Sequence, residues 1–150
     1  MSWNIAWSWQ ADSRIAMVAA AEGGVLVSAG LEMTMLEADG NVRWHVDVPF
    51  KVHAAKAVQG TIGLLAAHGF YLMSTSNGAM MNEGRSTPGG FSDLAPRPGG
   101  GWALAGRKGQ IHLFSEHGRG IRRVERGAVR RLIGWLDREH LLWQDPEGFL

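Results

Sequence analysis

Cysteine is absent from the 150 residues, which excludes a disulfide framework, a zinc–thiolate centre and a thiol nucleophile. No apolar run approaches the ~18 residues that a membrane-spanning helix requires. The opening Met1-Ser2-Trp3-Asn4-Ile5 lacks a basic region followed by an apolar one, so no secretory leader is expected and a cytoplasmic location is. Charged residues make up 19% of the chain, too ordinary a value for a disordered tail or a supercharged surface. The glycine runs Gly89-Gly90 and Gly99-Gly100-Gly101 are not followed by Lys-Ser/Thr, so neither reads as a phosphate loop. No serine lies in a nucleophile elbow and no carboxylate pair can be placed together from sequence. A non-catalytic protein is expected.

Glycine and tryptophan are plentiful, with 21 and 7 copies. Many glycines between short apolar segments suit an all-β chain that turns often. The stretch Ala29–Trp44 supplies the pattern, because it reads as a strand, an Asp39-Gly40 turn and a second strand. Its first glycine recurs at Gly69, Gly109 and Gly148, with separations of 39, 40 and 39. The turn glycine recurs at Gly78 and Gly118, preceded by Asn77 and His117. Asp-Gly and Asn-Gly favour a type I′ turn, in which both central residues need positive φ. Small apolar segments precede the first glycine each time, as in Val25-Leu26-Val27, Leu64-Leu65-Ala66 and Trp102-Ala103-Leu104.

Each unit therefore reads as four short strands, A to D. The units span residues 14–48, 52–87 and 91–126, and an incomplete fourth spans 128–150. Residues 1–10 read as a leading outer strand D, with Trp3–Trp7 aligned on Val42–Val46. Four strands per ~40 residues is the period of a β-propeller blade, which buries its faces by stacking around an axis. The expected architecture is an all-β propeller segment of about 3.5 blades. A closed ring typically takes four to eight. The open blade edges therefore predict either a longer natural chain or self-association.

At Leu36–Trp44 the sequence resembles the quinoprotein-like (PQQ-like) repeat: an apolar residue, small and acidic residues, a turn glycine, then an apolar residue and tryptophan. Asn82 and Arg122 stand at the tryptophan position in the next two units. WD40 repeats share the period, but no Trp-Asp dipeptide ends a strand. The resemblance raises a quinone cofactor, which that family holds against adjacent cysteines with calcium nearby. Without cysteine or a comparable acidic cluster, no cofactor is expected here. The six histidines show no zinc-ligand spacing. His112 and His117 would lie ~16 Å apart on an extended strand, and His45 and His53 fall in different strands. No metal is expected. The tryptophans, Trp44, Trp102 and Trp143 above all, are expected to pack between blades.

The net charge of +1 hides an asymmetry: residues 1–75 sum to −2 and residues 76–150 to +3. Between Arg97 and Arg131 nine basic residues face only Glu116 and Glu125. Strand direction alternates within a blade, so the B–C and D–A connections open on one rim. Arg85, Arg107, Lys108 and Arg126 fall near those connections and form the candidate partner-binding rim. Such a rim suits an acidic protein surface or the phosphate backbone of nucleic acid. Few aromatics are interleaved, so a single-strand stacking platform is not indicated. The function expected is a protein-interaction scaffold, with nucleic-acid binding, or membership of a larger propeller enzyme, as the alternatives.

Overall fold

A computed structural model describes residues 4–125, 127 and 129–147. Among them there is no helix, and so none long and apolar enough to cross a membrane. The first sheet is an antiparallel meander of β1 (Ile15–Ala21), β2 (Gly24–Ala29), β3 (Glu32–Glu37) and β4 (Val42–Asp47). The second holds β5 (Val52–Val58), β6 (Thr61–Ala66) and β7 (Gly69–Ser74). The third repeats the four-stranded meander with β8 (Phe91–Pro96), β9 (Trp102–Gly106), β10 (Gln110–Phe114) and β11 (Gly120–Glu125). A two-stranded sheet of β12 (Arg131–Trp135) and β13 (Leu141–Gln144) follows. Strands β1, β5, β8 and β12 lie side by side in that order, so strand A of each unit faces the common axis.

The apolar residues between the sheets explain the stacking. Leu26, Met33, Met35 and Trp44 of the first sheet pack on Ile62, Leu64 and Met73 of the second. Leu65, Phe70 and Leu72 pack on Phe91, Leu94, Trp102 and Phe114 of the third. The last joint is slighter, made of Ala95, Ala103, Ala105 and Leu132 with partly buried aromatics around them. Trp102 packs between sheets as expected: a Cβ at Gly63 would lie 2.7 Å from its ring.

Three expectations need correction. The hairpin turn at Asp39-Gly40 is not type I′. Gly40 has φ +88°, whereas Gln59 is the one non-glycine residue with positive φ among those described. The Gly40 amide donates to the Glu37 carbonyl at 2.9 Å, and the ladder bulges between Met35 and Leu36. A type I turn closed by a left-handed glycine fits these facts. The type I′ pair occurs at Gln59-Gly60 (φ +47° and +81°) instead.

Second, residues 4–10 form no strand, although they occupy the outer-strand position. Trp7 donates its Nε1–H to the Ala38 carbonyl at 2.8 Å and covers Gly40, where a Cβ would be 2.7 Å from its ring. Trp44 does the same one sheet later, donating to the Thr75 carbonyl at 2.8 Å and covering Gly78. Trp7, not Ile5, is therefore the counterpart of Trp44, two residues from the register expected.

Third, the second unit has no regular outer strand among the described residues. Segment 79–85 touches β7 through two isolated bridges, Met73↔Met80 and Phe70↔Arg85. Between them the Asn82 side-chain oxygen, rather than a backbone carbonyl, accepts the Leu72 amide at 2.8 Å. Gly84, at φ +88°, leaves extended geometry.

Candidate partner-binding surface

The residues expected to share one rim divide between two places. Arg107 and Lys108 form the β9–β10 turn, and both are exposed. The Arg107 amide donates to the Gly90 carbonyl at 3.0 Å, and its Nε approaches the Phe91 carbonyl at 3.4 Å. The Lys108 stem lies over Gly89. Partial burial, and then the Arg107 charge, hold the His53 imidazole below the usual histidine range. Arg126 lies outside the described residues.

Arg85 turns away from that rim. Its Nε donates to the Gly118 carbonyl at 2.9 Å, so the side chain reaches the β10–β11 turn of the next sheet. There it lines a cleft of about 350 Å³ with Ser86, His112, Arg122 and Arg123. Pairing of β10 with β11 sets His112 opposite Arg123 and Leu113 opposite Arg122, so the two arginines leave opposite faces of the edge strand. Arg123 meets Glu125 at 3.0 Å, whereas no carboxylate pairs with Arg85 or Arg122 among the described residues. Burial first, and then the Arg123 charge, lower the His112 pKa. The ring lies edge-on to Phe91 and parallel to Phe114. Its Nε2 is buried without a hydrogen-bond partner. Arg122 and Arg123 carried no site signal in the sequence beyond charge density, because only the side chain of Arg85, crossing the joint, brings a charge from another blade beside them.

The structure also gathers groups that sequence spacing keeps apart. Glu32 and His45 approach to 3.7 Å on adjacent strands, and Asp47 joins them. In the sequence His45 is set only against His53, in a different strand, and not against these carboxylates. The Asp39-Gly40 hairpin is the signal that could have found the group, because its register pairs residues 32 and 47. At the far end, an apolar cavity of about 400 Å³ opens between the third sheet (Ile111, Leu113, Val124) and the last (Trp135, Leu141, Trp143).

No protein-family model and no curated protein matches the sequence. Solved structures do match its shape. BamB from Moraxella catarrhalis superimposes with a TM-score of 0.69 at 18% identity, over 91% of this chain and 44% of its own. The computationally designed Ika4 protein does so with a TM-score of 0.78 at 13% identity, over 99% of this chain and 96% of its own. The WD40 domain of Neurospora crassa Pan2 gives 0.65 at 7% identity, over 80% of this chain and 41% of its own. The fold is a β-propeller.

The propeller segment spans less than half of BamB and of the Pan2 domain, and nearly all of Ika4. The sheets described above are its blades. The docked tryptophan explains why the repeat pattern was sharpest at Leu36–Trp44. In the next blade Asn82 takes that place and covers Gly118, with its Nδ2 2.6 Å from where a Cβ would stand. Glycine is kept in the turn although the tryptophan is lost.

Proposed function

We propose that this propeller segment is a non-catalytic scaffold that receives an acidic stretch of a partner protein in the Arg85–Arg122–Arg123 cleft. The observation behind this reading is that Arg85 reaches from one blade into a cleft that Arg122 and Arg123 of the next also line, from the two faces of the edge strand. Glu125, on Arg123, is the one paired carboxylate there among the described residues. Guanidinium groups suit this task because they present planar, paired donors to carboxylates. Exposed attraction of this kind is screened by salt, so binding should weaken as ionic strength rises.

Fluorescence anisotropy with a labelled deca-glutamate peptide tests the reading. R122E/R123E should abolish binding, whereas R130E/R131E, the same charge change on and beside β12, should leave most of it. Equal losses in the two variants would show diffuse attraction and refute the cleft. Preference for a labelled oligothymidylate, with the steep salt slope of counterion release, would replace the protein partner with nucleic acid.

A further inference from the structure

We propose that Glu32, His45 and Asp47 form a site for a divalent transition-metal ion of the zinc class on the first blade. The β3–β4 ladder pairs Glu32 with Asp47 and Thr34 with His45. Side chains two apart on a strand share a face, so all four groups project from one side of the hairpin. One ligand atom from each of Glu32, His45 and Asp47 lies within 4.8 Å of the others, and Glu32 Oε1 is already 3.7 Å from His45 Nε2. Ligand bonds of ~2.0–2.2 Å to imidazole nitrogen and carboxylate oxygen need only small rotations to close that gap.

Two features set this group apart from a chance surface cluster. Like charges directly opposite each other on neighbouring strands are destabilising, yet Glu32 faces Asp47 at a paired position. A dication between them turns that repulsion into ligation. The imidazole is also oriented from behind: its Nδ1 is 2.8 Å from the hydroxyl of Thr34, itself only 3% exposed. With Nδ1–H donated to Thr34, Nε2 presents its lone pair to the two carboxylates, and a hydrogen bond of this kind to the far ring nitrogen is what orients a metal-binding histidine. One nitrogen and two oxygen donors suit Zn²⁺, Co²⁺ or Ni²⁺ better than Ca²⁺, which takes six to eight oxygens. Three protein ligands leave at least one position open. Glu32 and His45 also line a cleft of about 300 Å³ whose wall includes Asp12 and Trp9, so a bound ion would lie beside the leading segment.

The metal itself is the probe. Titration of the full chain with Co²⁺, read by visible d–d absorption, should give one site per chain that Zn²⁺ displaces. His45→Ala should remove the band, and because this side chain is exposed the fold is not at stake. Thr34→Val should weaken Co²⁺ binding about 10–100-fold, the range for loss of a second-shell partner. Asp47→Asn should weaken the metal yet raise the melting temperature of the metal-free protein by removing the opposed charge. Absence of a Co²⁺ band, an unchanged band in His45→Ala, or displacement by Ca²⁺ as readily as by Zn²⁺ would each overturn the assignment. None of these results bears on the arginine cleft, which is on other blades.

Discussion

Replacing Trp44 and Trp7 by phenylalanine should separate two copies of one joint by their burial. Both indoles donate to a backbone carbonyl of the next blade at 2.8 Å and cover its turn glycine. Trp44 is 8% exposed and its acceptor residue Thr75 is 3% exposed, whereas Trp7 is 36% exposed and Ala38 is open to solvent. Phenylalanine keeps much of the ring contact and removes the donor. At Trp44 this leaves a buried carbonyl unsatisfied, which costs about 1–3 kcal/mol. At Trp7 water replaces the donor and the loss should stay under about 0.5 kcal/mol. A difference of about 2 kcal/mol corresponds to roughly 4–8 °C in Tm for a chain of this size. Urea and thermal unfolding followed by far-UV circular dichroism is the assay, since fluorescence changes with the tryptophan count. Equal losses, or a larger one at Trp7, would refute the claim that burial of the acceptor decides the energy of the joint.

Gly63→Ala should destabilise by about 1–3 kcal/mol through overpacking, because the new Cβ would meet the Trp102 ring at 2.7 Å and Leu94 at 3.0 Å; an unchanged urea midpoint would mean the second joint is loosely packed. Acidification should weaken the fold in two stages. His53 and His112 both have folded pKa values lowered, chiefly by burial. The unfolded chain therefore takes up protons first as pH falls below about 6.5, and stability declines until the lowered folded values are reached. Glu37 is held low by its hydrogen bond from Arg43, and Asp137 by the Glu139 amide and His140. Their contribution is present above about pH 4 and disappears below it. His112→Gln should flatten the first stage alone, as measured by urea midpoints between pH 7.5 and 5; an unaltered slope would remove His112 from the account.

Backbone features were far more legible in the sequence than side-chain destinations. The glycine spacing located the sheets because a left-handed turn glycine recurs wherever the outer residue of the preceding unit lies flat on it, as at Gly40 and Gly78. The type I′ expectation failed since Asp39 and Asn77 hold their turns through side-chain acceptance of the amides of Asn41 and Ala79, which needs no positive φ. The register of residues 4–10 was misread because alternation fits two offsets equally well, and only the hydrogen bond of Trp7 chooses between them. Arg85 sits where expected by backbone position, bridged to Phe70 at the start of β7, but a long side chain can cross a blade joint, so its neighbours are set by packing. The Glu32–His45–Asp47 group was hidden for a related reason: partners 13 and 15 residues apart meet only once the hairpin register is known.

The joints between blades are unequal, and this gives the arc a mechanical polarity. The first two carry large interlocked side chains, including Met33, Met35, Trp44, Phe70 and Trp102. Among the described residues the last buries three alanines and one leucine, helped by the Leu132 amide on Asp93 at 2.7 Å and by Arg97 on the Arg138 carbonyl at 2.6 Å. Pulled at both termini, the molecule should shed β12 and β13 as an early low-force step. The remaining blades would then give way at higher tension, so any load passed through this chain would be felt first at its C-terminal side.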